Sequence, residues 1–148
     1  MQIARLEAAD QDDWLTLRRA LWPDTPPDSH RRQIADQLAA PGRCAAFTAR
    51  DAAGRALGLA EVSLRGDHVN GTRTSPVAFL EGLYVLPAKR RRGIARALTQ
   101  AVIAWARTRQ CRELASDTAL TNRASRAVHQ RLGFRETERV VFFVQPLD

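Results

Sequence analysis

The sequence predicts an α/β domain of the α+β kind, with a mixed, mostly antiparallel central sheet flanked by helices. Three observations carry that expectation. Strand-like segments joined by short turns dominate the first half, and strand–helix–strand–helix alternation follows. Residues 77–86, VAFLEGLYVL, form a nearly unbroken apolar run that stops at Pro87. A basic turn, Lys89-Arg90-Arg91-Arg92, then leads through Gly93-Ile94-Ala95 into an amphipathic helical pattern.

Taken in order, residues 2–7 alternate and make the first strand. Asp10 caps a helix that runs to Leu21 and places Trp14, Leu17, Ala20 and Leu21 on one face. Trp22-Pro23 ends it, and a proline-rich loop, PDTPPDS, follows. Asp28 or Ser29 caps a second helix through Leu38, and Pro41-Gly42 breaks the chain again. His30, with no motif around it, reads as a surface residue. Residues 43–50 and 56–65 read as antiparallel strands joined by a turn at 51–54. Residues 66–75 make a polar loop with a turn signal at Asn70-Gly71. After the apolar strand and its helix, 110–117 is another strand and 122–131 a short helix. Residues 134–144 are either a final strand pair or one long strand. No repeat, low-complexity tract or linker intervenes, so residues 1–148 read as a single domain.

Composition narrows the class. Hydrophobic residues make up 45% and charged residues 26%, a balance that excludes disorder. No run approaches the roughly 18 apolar residues of a membrane span, and the N-terminus shows no apolar signal core. A cytoplasmic protein without a membrane partner is expected. Cys44 and Cys111 are too few for a disulfide framework, and no Cys/His cluster has zinc spacing, so reduced thiols and no metal are expected. Net charge is +7, almost entirely from arginine, with Lys89 the only lysine. Such a surface suits nucleic acid, an acidic membrane or a phosphorylated cofactor, and composition does not choose among them.

The basic turn is more specific. A strand, a cationic loop and a helix start bring backbone N–H groups and a positive dipole end together, ringed by arginines, as a phosphate or diphosphate requires. The plainer reading is a solvated basic turn. Arg90-x-x-Gly93-x-Ala95, however, resembles the acetyl-CoA signature of the GNAT superfamily of N-acetyltransferases. Downstream, Asn122-Arg-Ala-Ser125-Arg-Ala-Val128-His129-Gln-Arg-Leu-Gly133-Phe134 resembles the last characteristic segment of that superfamily. Its Gly133 makes sense as a left-handed helix cap and Phe134 as an apolar anchor. With two matches in the right order, the chain is identified as a member.

That resemblance implies the GNAT acyltransferase fold and acetyl-CoA as co-substrate. Arg90, Arg91, Arg92, Gly93, Ile94, Ala95 and Arg96 would hold the CoA diphosphate. Leu83, Tyr84 and Val85 would offer edge N–H and C=O groups to the pantetheine arm, and Asn122 would touch the cofactor. Where many relatives carry a Tyr that protonates the departing thiolate, this chain has His129. Either His129 performs that role or it is a satisfied interior histidine.

A closer resemblance covers nearly the whole chain, to the chromosomal aminoglycoside 6′-N-acetyltransferases. It rests on LRRALWP (17–23), DHVNG (67–71), SPVAFLEGLYVLP (75–87), RRRGIA (90–95), CRELASDT (111–118) and VHQRLGFRETERVVFF (128–143). It implies that Trp22, His68, Glu81, Asp117 and Glu138 contact the aminoglycoside, and that the protein is a homodimer, its C-terminal strand either completing a neighbour's sheet or serving as an ordinary core strand. An aminoglycoside is a polycation, so carboxylates on the site side of a basic chain are informative. The alternative for Glu81, in an apolar strand, is a structural salt bridge to an arginine. The amine must be neutral to attack the thioester, so a carboxylate accepts its proton directly or through water. Asp117 and then Glu81 are the candidates, and the N–H of Leu83 is a donor for the oxyanion. Direct attack in a ternary complex is expected. Two rivals are the same fold acting on a polyamine, amino sugar or protein N-terminus, and a non-catalytic basic module for nucleic acid. Against the second, no aromatic-basic RNA motif appears, so no nucleic-acid partner is expected.

Overall fold

The sheet runs in the order β1 (Gln2–Arg5), β2 (Cys44–Arg50), β3 (Ala56–Arg65), β4 (Val77–Val85) and β5 (Leu114–Ala115) in a computed structural model that describes all residues, Met1–Asp148. The first four strands pair antiparallel with their neighbours and β5 joins parallel to β4, as the expected mixed sheet requires. The β2–β3 hairpin is pinned by Asp51, whose carboxylate accepts from the N–H of Ala53 at 3.0 Å and of Arg55 at 2.9 Å. The Arg55 bonds hold that carboxyl below its ordinary value.

Helices cover both sheet faces because β3 alternates. Leu59 packs with Leu6, Trp14, Leu17, Ile34 and Ala46 under α1 (Gln11–Leu21) and α2 (Pro27–Leu38). Its neighbour Gly58 faces α3 (Ile94–Thr108), where an added Cβ would lie 3.2 Å from Leu98 Cδ1 and 2.6 Å from the Tyr84 carbonyl. Ile94, Leu98 and Val102 seal that face. No helix is long and apolar enough to cross a membrane.

By backbone proximity the chain divides into two units, Met1–Ser116, which holds the sheet and α1–α3, and Asp117–Asp148, which holds α4 (Arg123–Arg131). Several boundaries differ from expectation. Asp10 precedes α1, but its carboxylate bonds the N–H of Glu7 at 2.8 Å and Arg50 at 2.9 Å rather than capping the helix. α2 starts at Pro27, with Asp28 and Ser29 inside its first turn, because proline at the first helical position is already set to helical φ. The strand expected over 110–117 is only two residues long. Its beginning is occupied by the end of α3, where the N–H groups of Gln110 and Cys111 bond Arg107 and Ala106 at 3.1 Å.

No strand forms over 134–144. Strand structure needs a hydrogen-bonded neighbour, and this segment has no paired strand in the chain. Val141, Phe142, Phe143 and Val144 are left exposed, Phe143 by 93%.

Candidate functional site

β4 changes character along its length. In its first half Ala78 and Phe79 pair with Leu114 and Ala115 of β5, and the ladder then stops. There β4 carries one extra residue: Val62 pairs with Leu80 and Glu61 with Gly82, so Glu81 is a β-bulge. Bulges sharpen twist, and this one falls where β4 and β5 part. Beyond it Leu86 N–H donates to the Leu57 carbonyl at 2.9 Å. By antiparallel alternation Tyr84 and Gly82 also turn their backbone groups toward β3, while those of Leu83 and Val85 face the edge that β5 leaves uncovered. Leu83 therefore offers what an extended ligand arm needs, and Val85 adds its N–H, its carbonyl already accepting from Arg90. Tyr84 contributes its ring instead.

The basic turn follows directly. Pro87–Lys89 make one 3-10 turn, Arg91 takes φ 61° and Gly93 φ 81°, and α3 opens at Ile94 with no side-chain cap. Left-handed residues on either side of Arg92 and an uncapped helix start turn successive N–H groups toward one point, an anion cradle. Nothing lies within 4 Å of a Cβ built at Gly93, so glycine is needed there for its φ alone. Arg90 folds back, its Nε donating to the Val85 carbonyl at 2.9 Å and its guanidinium 5.7 Å from the Tyr84 ring centre. Arg91, Arg92 and Arg96 are exposed around the turn, with Ala95 half-buried behind them.

Beside the bulge lies an open cleft of about 430 Å³ between α1, α2 and strands β2–β4. Trp22 and Glu81 both line it. The Trp22 ring is fixed by close approach: a Cβ on Gly82 would sit 2.6 Å from it. Under the ring lies Arg18, its guanidinium carbon 4.7 Å from the ring centre. Arg18 forms a buried pair with Glu61, their side chains 4% and 2% exposed, and also bonds Gln33. Its Nε donates to His30 Nδ1 at 3.1 Å, and His30 Nε2 donates to the Trp22 carbonyl at 3.1 Å. His30 is thus fully buried, not a surface residue, because it shares the inward stripe of α2 with Ile34 four residues on. Gln37 completes the cleft floor by donating to Glu61 at 3.0 Å.

Glu81 accepts from Ser63 Oγ at 2.5 Å and from Arg65 at 3.0 Å while its side chain stays 35% exposed. The salt bridge and the cleft position coexist. Cys44 also lines the cleft; burial pushes its thiol up, Arg43 opposes this, and Glu81 and Glu61 reinforce it. His68 is exposed on its loop and is not among the cleft-lining residues. Next to it Val69 packs against Val77 and Phe79. That loop is clamped by Glu113, which accepts from the N–H of Arg73 at 2.8 Å and of Thr74 at 2.7 Å and from the Thr74 hydroxyl. The hydroxyl first, then these amides, hold Glu113 below the ordinary carboxylate range.

The remaining expected residues belong to the second unit. Asp117 is exposed at its start. Asn122 caps α4, its Oδ1 accepting from the Ser125 N–H at 3.1 Å. His129 donates from Nδ1 to the Ser125 carbonyl at 2.7 Å, with its ring edge-on to Phe134 at 5.2 Å. Gly133 at φ 97° turns the chain between them, as a left-handed cap does. Glu138 is exposed in the segment that lacks its expected strand.

Sequence reading missed Arg18, Glu61, Asp36 and Gln37, all in the cleft wall or floor. A signal existed for the first: Arg18 falls on the Trp14–Leu17–Leu21 stripe, where only a paired arginine is tolerated. Glu61, like Glu81, interrupts an apolar strand.

Comparison with known proteins gives consistent matches. The model of the Acetyltransferase (GNAT) family matches residues 9–134. An aminoglycoside N(6′)-acetyltransferase type 1 of Salmonella typhimurium is 47% identical over 97% of both chains. Its counterpart from Acinetobacter genomosp. 13 is 49% identical over the same share. Among solved structures, AAC(6′)-Iy in complex with the bisubstrate analog CoA-S-monomethyl-acetylneamine superposes with a TM-score of 0.93 at 44% identity, covering 99% of this chain and 98% of that one. The apo aminoglycoside 6′-N-acetyltransferase AAC(6′)-IG from Acinetobacter haemolyticus gives 0.94 at 43% identity over the whole of both chains. With its uncovered β4 edge, its anion cradle and these full-length likenesses, the chain belongs to the acetyltransferase (GNAT) family.

Proposed function

We propose that this protein transfers the acetyl group of acetyl-CoA to the 6′-amino group of aminoglycosides, and so confers resistance to them. The observation that carries this is the order of features along one strand and its turn. Glu81 stands at the cleft, Leu83 and Val85 present backbone groups to an open edge, and the cradle from Arg90 to Arg96 follows. An ammonium, a thioester arm and a diphosphate are bound by just these three kinds of group. Relatives of nearly half-identical sequence carry that activity in their names, and one solved relative holds a CoA–aminoglycoside conjugate.

In this reading the amine arrives protonated and loses its proton to a carboxylate. Asp117 is the first candidate, since it has no hydrogen-bond or ion-pair partner, whereas Glu81 is held by Ser63 and Arg65. Attack in a ternary complex then builds an oxyanion, which the N–H of Leu83 stabilises. His129, oriented through Nδ1, is the candidate acid for the departing thiolate. Transfer is direct: neither Cys44 nor Cys111 sits in a nucleophile motif, and burial pushes both thiols up. Trp22 packs on a sugar ring, while His68 and Glu138 meet hydroxyls and amines, and Asn122 meets the cofactor. Residues 1–148 are read as a single GNAT domain, which the family match across 9–134 supports.

The exposed apolar run Val140–Val144 is read as a strand completing the sheet of a second copy in a cytoplasmic homodimer. The test is turnover. Purified protein with acetyl-CoA is offered kanamycin, spermidine and peptides, and the product is located by NMR. Acetylation of the kanamycin 6′-amine is expected, and its absence beside turnover of another amine overturns the reading.

A further inference from the structure

The cleft is lined by three carboxylates that differ in what they already hold. Glu61 is buried against Arg18 and Gln37, and Glu81 takes Ser63 and Arg65. Asp36 lines the same cleft from the exposed face of α2, and its side chain makes no hydrogen bond or ion pair within the protein. It stands on one helical stripe with Gln33 and Gln37, three residues before it and one after, so that α2 presents a polar wall to the cavity. The only cation in the lining, Arg18, is already matched by Glu61. The Asp36 carboxylate is therefore held by no ion pair, in a cavity that β4 also lines with Glu81.

We propose that Asp36 is a second docking carboxylate. It receives a substrate ammonium other than the one acetylated, and it sets a preference for acceptors that carry several separated amines. This rests on the aminoglycoside reading above. The contact is the same before and during acetyl transfer, so it acts on KM and leaves kcat alone. For an exposed carboxylate paired with an ammonium the expected effect is about three- to fivefold.

The test uses the full chain with kanamycin and acetyl-CoA. Asp36→Asn is expected to raise KM for kanamycin about three- to fivefold, with kcat and KM for acetyl-CoA unchanged, and added salt narrows the difference. Asp36→Glu restores the wild-type value. Asp28→Asn, an exposed position on the same helix that pairs with Arg31 and does not line the cleft, changes nothing. A kanamycin KM for Asp36→Asn equal to wild type, or a rise matched by Asp28→Asn or by KM for acetyl-CoA, overturns the role of Asp36 and leaves the activity standing. No acetylation of kanamycin by the wild type overturns the activity itself, and Asp36 with it.

Discussion

The turn after β4 and the cleft beside its middle both present charge, the turn as a basic, left-handed bend and the cleft as a pocket lined by carboxylates, by different means. The turn relies on main-chain donors whose direction is fixed by two left-handed residues, and its arginines stand at the periphery. The cleft relies on side chains, and its deepest carboxylate is already matched by a buried arginine. Backbone dipoles hold their aim without an internal counter-charge, whereas a buried side-chain charge demands one. Only rim carboxylates are then left for a ligand. The lesson is that charge available for binding is read from pairing, not from residue counts.

The largest expected effect tests the cleft half of this contrast. Glu61→Gln strands the Arg18 guanidinium in the interior and is expected to cost about 3–5 kcal/mol of stability, read from the urea midpoint. The double variant Arg18→Met with Glu61→Leu is expected to recover most of that loss. Equal stability of the single variant and wild type would break the contrast. Next, Gly93→Ala tests the turn half. It places a side chain at φ 81° with no clash, so the expected cost is conformational, about 1–2 kcal/mol. It should appear as a rise of about tenfold in KM for acetyl-CoA with the amine KM unmoved. An equal rise in both would show that the two regions are not separable.

The smallest effect belongs to neither region and serves as a baseline. The folded-state value of Glu113 is depressed, so it adds stability above the ordinary carboxylate pKa and loses it as pH falls through the depressed one. Glu113→Gln should flatten the acid limb of a stability–pH curve and leave both KM values alone.

Much of this was legible in the sequence, for identifiable reasons. The bounds of β3, the Asp51 turn, the end of α1 at Trp22 and the basic turn that leads into α3 depend on local chemistry, and local chemistry is written in consecutive residues. Arg18 and Glu61 are 43 positions apart, so their pairing belongs to the fold and to no single segment. His30 carried a readable cue, its spacing to Ile34, which the absence of a motif obscured. The segment after Phe134 has the β-branched and aromatic residues of a strand, but propensity names no partner. The bulge at Glu81 was hidden too, because in a strand that is apolar on both sides of that residue the alternation that would mark it is absent.

That bulge makes chain length a working part. A pleated ribbon repeats every two residues, and one surplus residue coils it away from its neighbour. Exchanging Glu81 for another side chain alters a charge and keeps the wedge. Deleting it would even out the pleat and let β4 and β5 zip past Phe79, closing the slot along which the donor's arm would lie.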